Sequence, residues 1–127
     1  MGFFYIGDEA TVGKSSHGDA IAVMVAGGEL DFAASRQLRD RLTERIEAGT
    51  RRLILDLSGA TFVDSTAIGA LVSVATMLNE LDGGVLLVVC PDENRRVLRI
   101  FEIAGIESLI AIHRSRAEAL RELAVAG

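Results

Sequence analysis

From Thr66 to Asn79 no residue carries a charge, yet Ala67, Leu71, Val74, Leu78 and Leu81 recur at helical spacing, with Ile68, Ala70 and Ala75 widening the apolar face. Few folds accept such a helix. It must be buried on all sides or present an apolar face to a partner. Burial on all sides is hard to arrange in a chain of 127 residues. The approach to the helix is constrained as well. A strand-like run, Leu53 to Leu57, passes through Ser58-Gly59 and reaches Asp64 followed by the hydroxyl pair Ser65-Thr66. The start of a helix gathers unpaired N–H groups and the positive end of the macrodipole. A hydroxyl there serves as an N-cap, and the same position suits a phosphate. Both readings stand open on local chemistry.

The rest of the chain alternates between strand and helix patterns. Phe3 to Ile6 reads as a short strand or arm, followed by the polar turn-forming cluster Gly13 to Asp19. Gly13-Lys14-Ser15 looks like the end of a phosphate-binding P-loop. However, five residues separate Gly7 from Gly13 where the motif has four, and a strand follows where a helix is needed. An ordinary hairpin loop is expected there. Ala20 to Ala26 reads as a strand with Ile21, Val23 and Val25 on one face, and Gly27 to Asp31 as the turn after it. Ser35 is the expected N-cap of a helix reaching about Ala48, with Leu38, Leu42 and Ile46 buried, Gly49 as its stop, and Arg36, Arg39, Asp40, Arg41, Glu44, Arg45 and Glu47 on the wet side. Val85 to Cys90, apolar without alternation, reads as a strand covered on both faces. Pro91-Asp92 opens a helix with Val97, Leu98, Phe101 and Ile103 inward, and Gly105 breaks it. Leu109 to Ile112 is expected as a last strand, and Ser115 as the cap of a terminal helix carrying Leu120 and Leu123. Strand–helix alternation after an antiparallel opening implies an α/β fold on a mixed sheet with right-handed crossovers.

Composition removes several function classes. Half the residues are apolar and 24% are charged, the signature of a foldable globular chain, and a single domain over 1–127 is expected. The net charge of −5 argues against a nucleic-acid footprint and against adhesion to an anionic membrane. The densest basic group, Arg95, Arg96 and Arg99, is broken up by Asp92, Glu93 and Glu102. No apolar run is long enough to span a bilayer and no signal peptide opens the chain, so cytoplasmic residence is expected. Cys90 is alone, which excludes an internal disulfide and reads as a buried, inert thiol. His17 and His113 lie far apart, and no Cys/His cluster has metal-ligand spacing, so neither a metal nor another cofactor is expected.

Asp64-Ser65-Thr66-Ala67-Ile68-Gly69 resembles the Asp-Ser-(Ser/Thr)-Gly-Leu-Gly signature of the bacterial anti-sigma factor antagonists, proteins of the STAS fold. Ala67 and Ile68 depart from that pattern. Gly28-Glu29-Leu30-Asp31 resembles a second family motif, Gly-Glu-(Leu/Ile)-Asp, and Val97 to Ile106 resembles the closing segment, so the likeness runs from about residue 20 to 124. The resemblance implies an α/β STAS fold: a mixed, mostly parallel sheet with an antiparallel N-terminal hairpin and about four helices. It implies that Ser65 is a phosphate acceptor. It also implies that the bare domain binds an anti-sigma factor with serine kinase activity and frees a sigma factor, and that a phosphatase acts on phospho-Ser65.

Two other readings compete with this phosphoswitch. A hydrolase using Ser65 is disfavoured, because Asp64 is a poor base for a hydroxyl, no histidine sits in a recognisable triad setting and the Gly-x-Ser-x-Gly elbow is missing. A scaffold or sensory STAS domain that assembles with itself or binds a small ligand without phosphorylation is the remaining alternative. The candidate partner-binding residues are Asp31, Asp64, Ser65, Thr66, Ile68, Gly69 and Ser73. Both aspartates fall at one sheet edge if their strands are parallel, and Ser73 lies on the outer side of the uncharged helix.

Overall fold

The computed structural model describes residues 2–9, 13–14 and 20–125. The cluster Ser15 to Asp19, including His17, lies outside the described residues, as do Ala10 to Val12.

The central strand is longer than its sequence pattern suggests. β1 (Phe4–Asp8) and the two-residue β2 (Gly13–Lys14) run antiparallel to one edge of β3 (Ala20–Leu30). Gly13 and Lys14 therefore belong to a strand ladder, while Ser15, the last residue of the P-loop look-alike, lies outside the described residues. The segment Gly27 to Leu30, expected as a turn, continues β3. A register shift between Gly28 and Glu29 carries the pairing past two glycines. Gly28 adopts φ +78°, and a Cβ there would lie 2.1 Å from the Phe3 carbonyl oxygen, so this position demands glycine.

The other edge of β3 is shared by two strands in series. β4 (Arg52–Asp56) pairs in parallel with Ile21 to Val25, and β5 (Ala60–Val63), which the sequence reading missed, pairs in parallel with Gly28 to Leu30. Between them Leu57 to Gly59 makes a jog, held by Asn94 Nδ2, which donates to the Ala60 carbonyl at 2.8 Å. β6 (Val85–Val89) and β7 (Ala111–His113) extend the parallel sheet beyond β4, giving the order β1-β3-β4-β6-β7.

Helices α1 (Phe32–Glu47), α2 (Ser65–Asn79) and α3 (Arg95–Ala104) bury their apolar stripes against one face of this sheet. Leu38, Leu42, Leu71, Val74, Leu78, Val97 and Phe101 meet Met24, Leu53, Leu55, Leu57, Leu86 and Val88 there. Each fully buried leucine contributes about 1.5–3 kcal/mol of transfer free energy. The alternate residues Ile21, Val23, Ile54, Leu87 and Val89 face the opposite side, covered by Ala119 and Leu123 of α4 (Arg116–Val125). Ser115 caps α4 as expected, accepting from the Glu118 N–H at 3.2 Å. Gly105, at φ +68°, ends α3.

Four sequence expectations are corrected. Asp31, not Ser35, caps α1: the chain leaves β3 so abruptly that the helix begins four residues earlier, and Ser35 is buried inside it. Helix α3 starts at Arg95 with Asn94 as N-cap, not at Pro91-Asp92. Ile103 is 75% exposed, because two residues beyond buried Phe101 is more than half a turn around the helix. The last strand is shorter than Leu109 to Ile112, since a 3₁₀ turn at Ile106–Ser108 leads into N–H bonds from Leu109 and Ile110 to the Ile106 carbonyl, leaving Leu109 exposed.

On the α4 side, Arg116 ties three segments together. Its Nη atoms meet Glu9 at 2.5 and 2.7 Å, and its Nε donates to Asp56 at 2.6 Å. Burial works to raise the Asp56 carboxyl, but hydrogen bonds from Ser58 and Arg116 outweigh it and hold the group below its ordinary value. The hydrogen bond from Arg116 likewise lowers Glu9. Nearby Cys90 is buried, and that burial pushes its thiol up to about 11, in line with an inert role.

Carboxyl values depressed in the folded state stabilise it above the unfolded carboxylate range, and the effect is lost as pH falls through the folded values. Arg116→Gln is therefore expected to cost about 1 kcal/mol near pH 7, a figure discounted for a half-exposed guanidinium. The gap to wild type should close as pH falls below about 4. Urea unfolding at a series of pH values measures it, and a gap that stays constant into acid would contradict this role.

Candidate functional site

Leu30 pairs with Val63 in neighbouring parallel strands, so Asp31 and Asp64 leave the sheet side by side, each at the start of a helix. The expectation that both aspartates share one sheet edge is met, and both act as caps. Asp31 Oδ1 accepts from the Ala34 N–H at 3.1 Å. Asp64 Oδ1 accepts from the N–H groups of Thr66 and Ala67 at 3.0 and 3.1 Å, and from the Thr66 hydroxyl at 2.5 Å. The cap of α2 is therefore the carboxylate, not the hydroxyl pair.

This assignment separates the two hydroxyls. Thr66, half-buried, donates to Asp64, and its oxygen lies 3.4 Å from Ser35 Oγ. Ser35 in turn donates to the Asp31 carbonyl at 2.6 Å. A chain of polar contacts thus joins the first turns of α1 and α2. Ser65, the first residue of α2, is exposed and makes no hydrogen bond among the described residues. Its oxygen is free at the helix N-terminus, where the macrodipole partly offsets the charge of the adjacent Asp64 carboxylate.

Two grooves flank this turn. On one side Ser65 and Ile68 of α2 face Ile100, Ile103 and Ala104 of α3 across an almost wholly apolar depression of about 260 Å³. On the other, Thr66, Gly69 and Ala70 face Phe32, Ser35, Arg36 and Arg39 of α1 across a second groove of similar size. Between them runs the outer stripe of α2, with Gly69 and Thr76 exposed and Ile68, Val72 and Ser73 half-buried. The sequence candidates Asp31, Asp64, Ser65, Thr66, Ile68 and Gly69 gather at this end of the molecule, whereas Ser73 lies a further turn along α2. The α3 wall was missed. Its signal was present in Ile100 and Ile103, but an inward assignment of Ile103 hid it.

Comparison with known proteins places this arrangement. The family model described as the STAS domain matches residues 15–119. The anti-sigma-B factor antagonist of Staphylococcus aureus (strain NCTC 8325 / PS 47) is 32% identical over 87 residues, covering 68% of this chain and 78% of that protein. Among solved structures, an anti-sigma factor antagonist from Mycobacterium paratuberculosis superposes with a TM-score of 0.76 at 16% identity, covering 97% of this chain and 94% of the other. The murine anion transporter Slc26a9 contains the same fold, with a TM-score of 0.67 at 17% identity, over 94% of this chain but 22% of the transporter. Among the described residues of this chain, no helix is long and apolar enough to cross a membrane.

The capping geometry predicts a clear stability pattern. Asp64→Ala and Asp31→Ala should each cost about 1 kcal/mol, whereas the asparagine variants, which keep an acceptor oxygen, should cost a few tenths at most. Urea denaturation midpoints check this, and alanine variants as stable as wild type would refute the cap assignment.

Proposed function

The chain belongs to the STAS family, among its anti-sigma factor antagonists, and on that footing we propose that it is a non-catalytic, phosphoregulated switch. With Ser65 bare, it binds an anti-sigma factor and releases the sigma factor held there. With Ser65 phosphorylated by that partner's serine kinase activity, binding is lost, and a phosphatase restores it. The setting is the bacterial cytoplasm.

One observation carries the reading: of the two adjacent hydroxyls, Ser65 alone is exposed and unbonded, while Thr66 is committed to Asp64. A kinase reaching this turn meets a single available acceptor. The same arrangement leaves Asp64 with no bond to the Ser65 oxygen, so nothing here activates Ser65 as a nucleophile. A phosphate on Ser65 adds roughly −1.5 to −2 charges. The helix N-terminus partly offsets that charge, so the fold tolerates it. A docked partner does not, because the phosphate stands at the rim of the apolar depression formed by Ile68, Ile100 and Ile103. Desolvating a dianion against that surface easily exceeds the ~1.4 kcal/mol that separates each tenfold in affinity.

Ser65→Ala is expected to abolish phosphorylation and keep binding to the anti-sigma factor, while Ser65→Glu weakens binding with little change in the melting midpoint. Ile103→Lys should behave like Ser65→Glu, since an exposed side chain contributes little to the core. Calorimetric titration with the anti-sigma factor, together with phosphosite mapping after kinase treatment, reads all three. Phosphate on Thr66 with Ser65 unmodified would overturn the acceptor assignment. Absence of binding by unmodified wild type would favour a scaffold domain without a switch.

A further inference from the structure

The second groove, between α1 and α2, carries arginines with no carboxylate in its lining; one other depression, at the far end of α1, does so too, but there Arg45 approaches Asp8 and Arg51 donates to the Ile46 and Thr50 carbonyls. The lining residues of the α1–α2 groove are Phe32, Ser35, Arg36, Arg39, Thr66, Gly69 and Ala70, and none is acidic. The α2 wall cannot supply a carboxylate, because that helix carries no charge from Ser65 to Asn79. The contrast with neighbouring arginines is direct. One and two turns along α1, Arg41 and Arg45 approach Asp8 at 2.7 and 4.0 Å. Arg114 pairs with Asp92 at 3.1 Å, and the depression holding Arg95 and Arg99 also contains Asp92, Glu102 and Glu107. Arg36 and Arg39 form no ion pair among the described residues. Arg36 instead rests over the Phe32 ring, 5.9 Å from its centroid, and that ring is 59% exposed.

In a chain of net charge −5, two unneutralised guanidinium groups beside an exposed aromatic ring form a local field of opposite sign. The first turns of both helices lie in the same region, but their N–H groups are already met by the Asp31 and Asp64 carboxylates, so the field rests on the two guanidinium groups. At Gly69 a Cβ would meet nothing within 4 Å, so the α2 wall is open to an approaching main chain. Arginine and aromatic side chains together are the residue types that most often anchor protein interfaces.

From this charge complementarity we infer that the α1–α2 groove receives an acidic segment of the protein partner, with carboxylates on Arg36 and Arg39 and an apolar side chain against Phe32. The inference rests on the reading that this end of the molecule docks a protein. It adds a second contact, separate from the apolar depression beside Ser65, and sets partner choice and encounter rate through charge.

The test has two arms. In the first, the ¹⁵N-labelled chain is titrated with a short Glu-rich peptide carrying one leucine, with the same peptide bearing Gln for Glu, and with inorganic phosphate. The Glu peptide should give saturable amide shifts at Gly69, Ala70 and the Arg36 to Arg39 turn, the Gln peptide should not, and Arg36→Gln/Arg39→Gln should remove the response. Shifts that are absent, equal for both peptides, retained in the double variant or reproduced by phosphate would overturn the inference. In the second arm, the anti-sigma factor is titrated at several salt concentrations. The double variant should bind about tenfold more weakly than wild type, with a flatter salt dependence. Equal affinities at low salt would overturn the inference while leaving the switch intact. Wild type that fails to bind the anti-sigma factor would defeat the switch reading instead, and the peptide arm would then decide the groove alone. Both arginines are exposed on α1, so an unchanged urea midpoint is expected to accompany these results.

Discussion

One oxygen of the Asp64 carboxylate organises the end of the molecule where the proposed switch sits. By accepting two backbone N–H groups and the Thr66 hydroxyl, it fixes where α2 begins and which way its first turn faces. It also removes Thr66 from chemistry and leaves Ser65 as the free hydroxyl. Asp64 is placed in turn by the sheet, because the Leu30–Val63 pairing brings Asp31 and Asp64 out of adjacent strands together. Two helices therefore start side by side, linked through Ser35, and the grooves on either side of Ser65-Thr66 follow from that placement.

The missing charges of α2 have a two-sided explanation in this fold. Its inner residues Ala67, Ala70, Leu71, Val74, Ala75 and Leu78 belong to the core between helices and sheet, which excludes charge for reasons of desolvation. The outer stripe has no such requirement, since Gly69 and Thr76 face solvent. A surface kept uncharged where solvation would permit charge is the expected composition of an interface centre. The charges that do surround it, Arg36 and Arg39 on one flank, sit where a polar rim belongs.

Much of this was legible in the sequence. The strand–helix alternation gave the layer arrangement, the uncharged helix pointed to its outward stripe, and the resemblance pointed to Ser65, which the fold leaves exposed. What was hidden had physical reasons. Strand β5 is short and carries exposed Thr61 and Phe62 between buried Ala60 and Val63, which gives no period-2 signal. The continuation of β3 through Gly27-Gly28 looked like a turn because glycine pairs usually mark one, whereas here Gly28 absorbs a bulge. Ser35 and the Ser65-Thr66 pair attracted cap assignments because serine and threonine are good caps. Aspartate is an equally good one, and in both helices it stood nearer the strand end. The network of Arg116 with Glu9 and Asp56 joins residues far apart in the chain, and no local pattern announces it.

The central claim is that Ser65 is free so that it can be modified, and that the modification acts on docking and not on the fold. The most direct measurement compares the chain carrying phosphoserine at position 65, made by semisynthesis, with the unmodified chain against the same anti-sigma factor by calorimetry. Thermal unfolding of each is recorded alongside. The account predicts at least about a tenfold loss of affinity, equivalent to ~1.4 kcal/mol, with melting midpoints that nearly coincide. Equal affinities, or a lost affinity that tracks a collapsed melting midpoint, would contradict it.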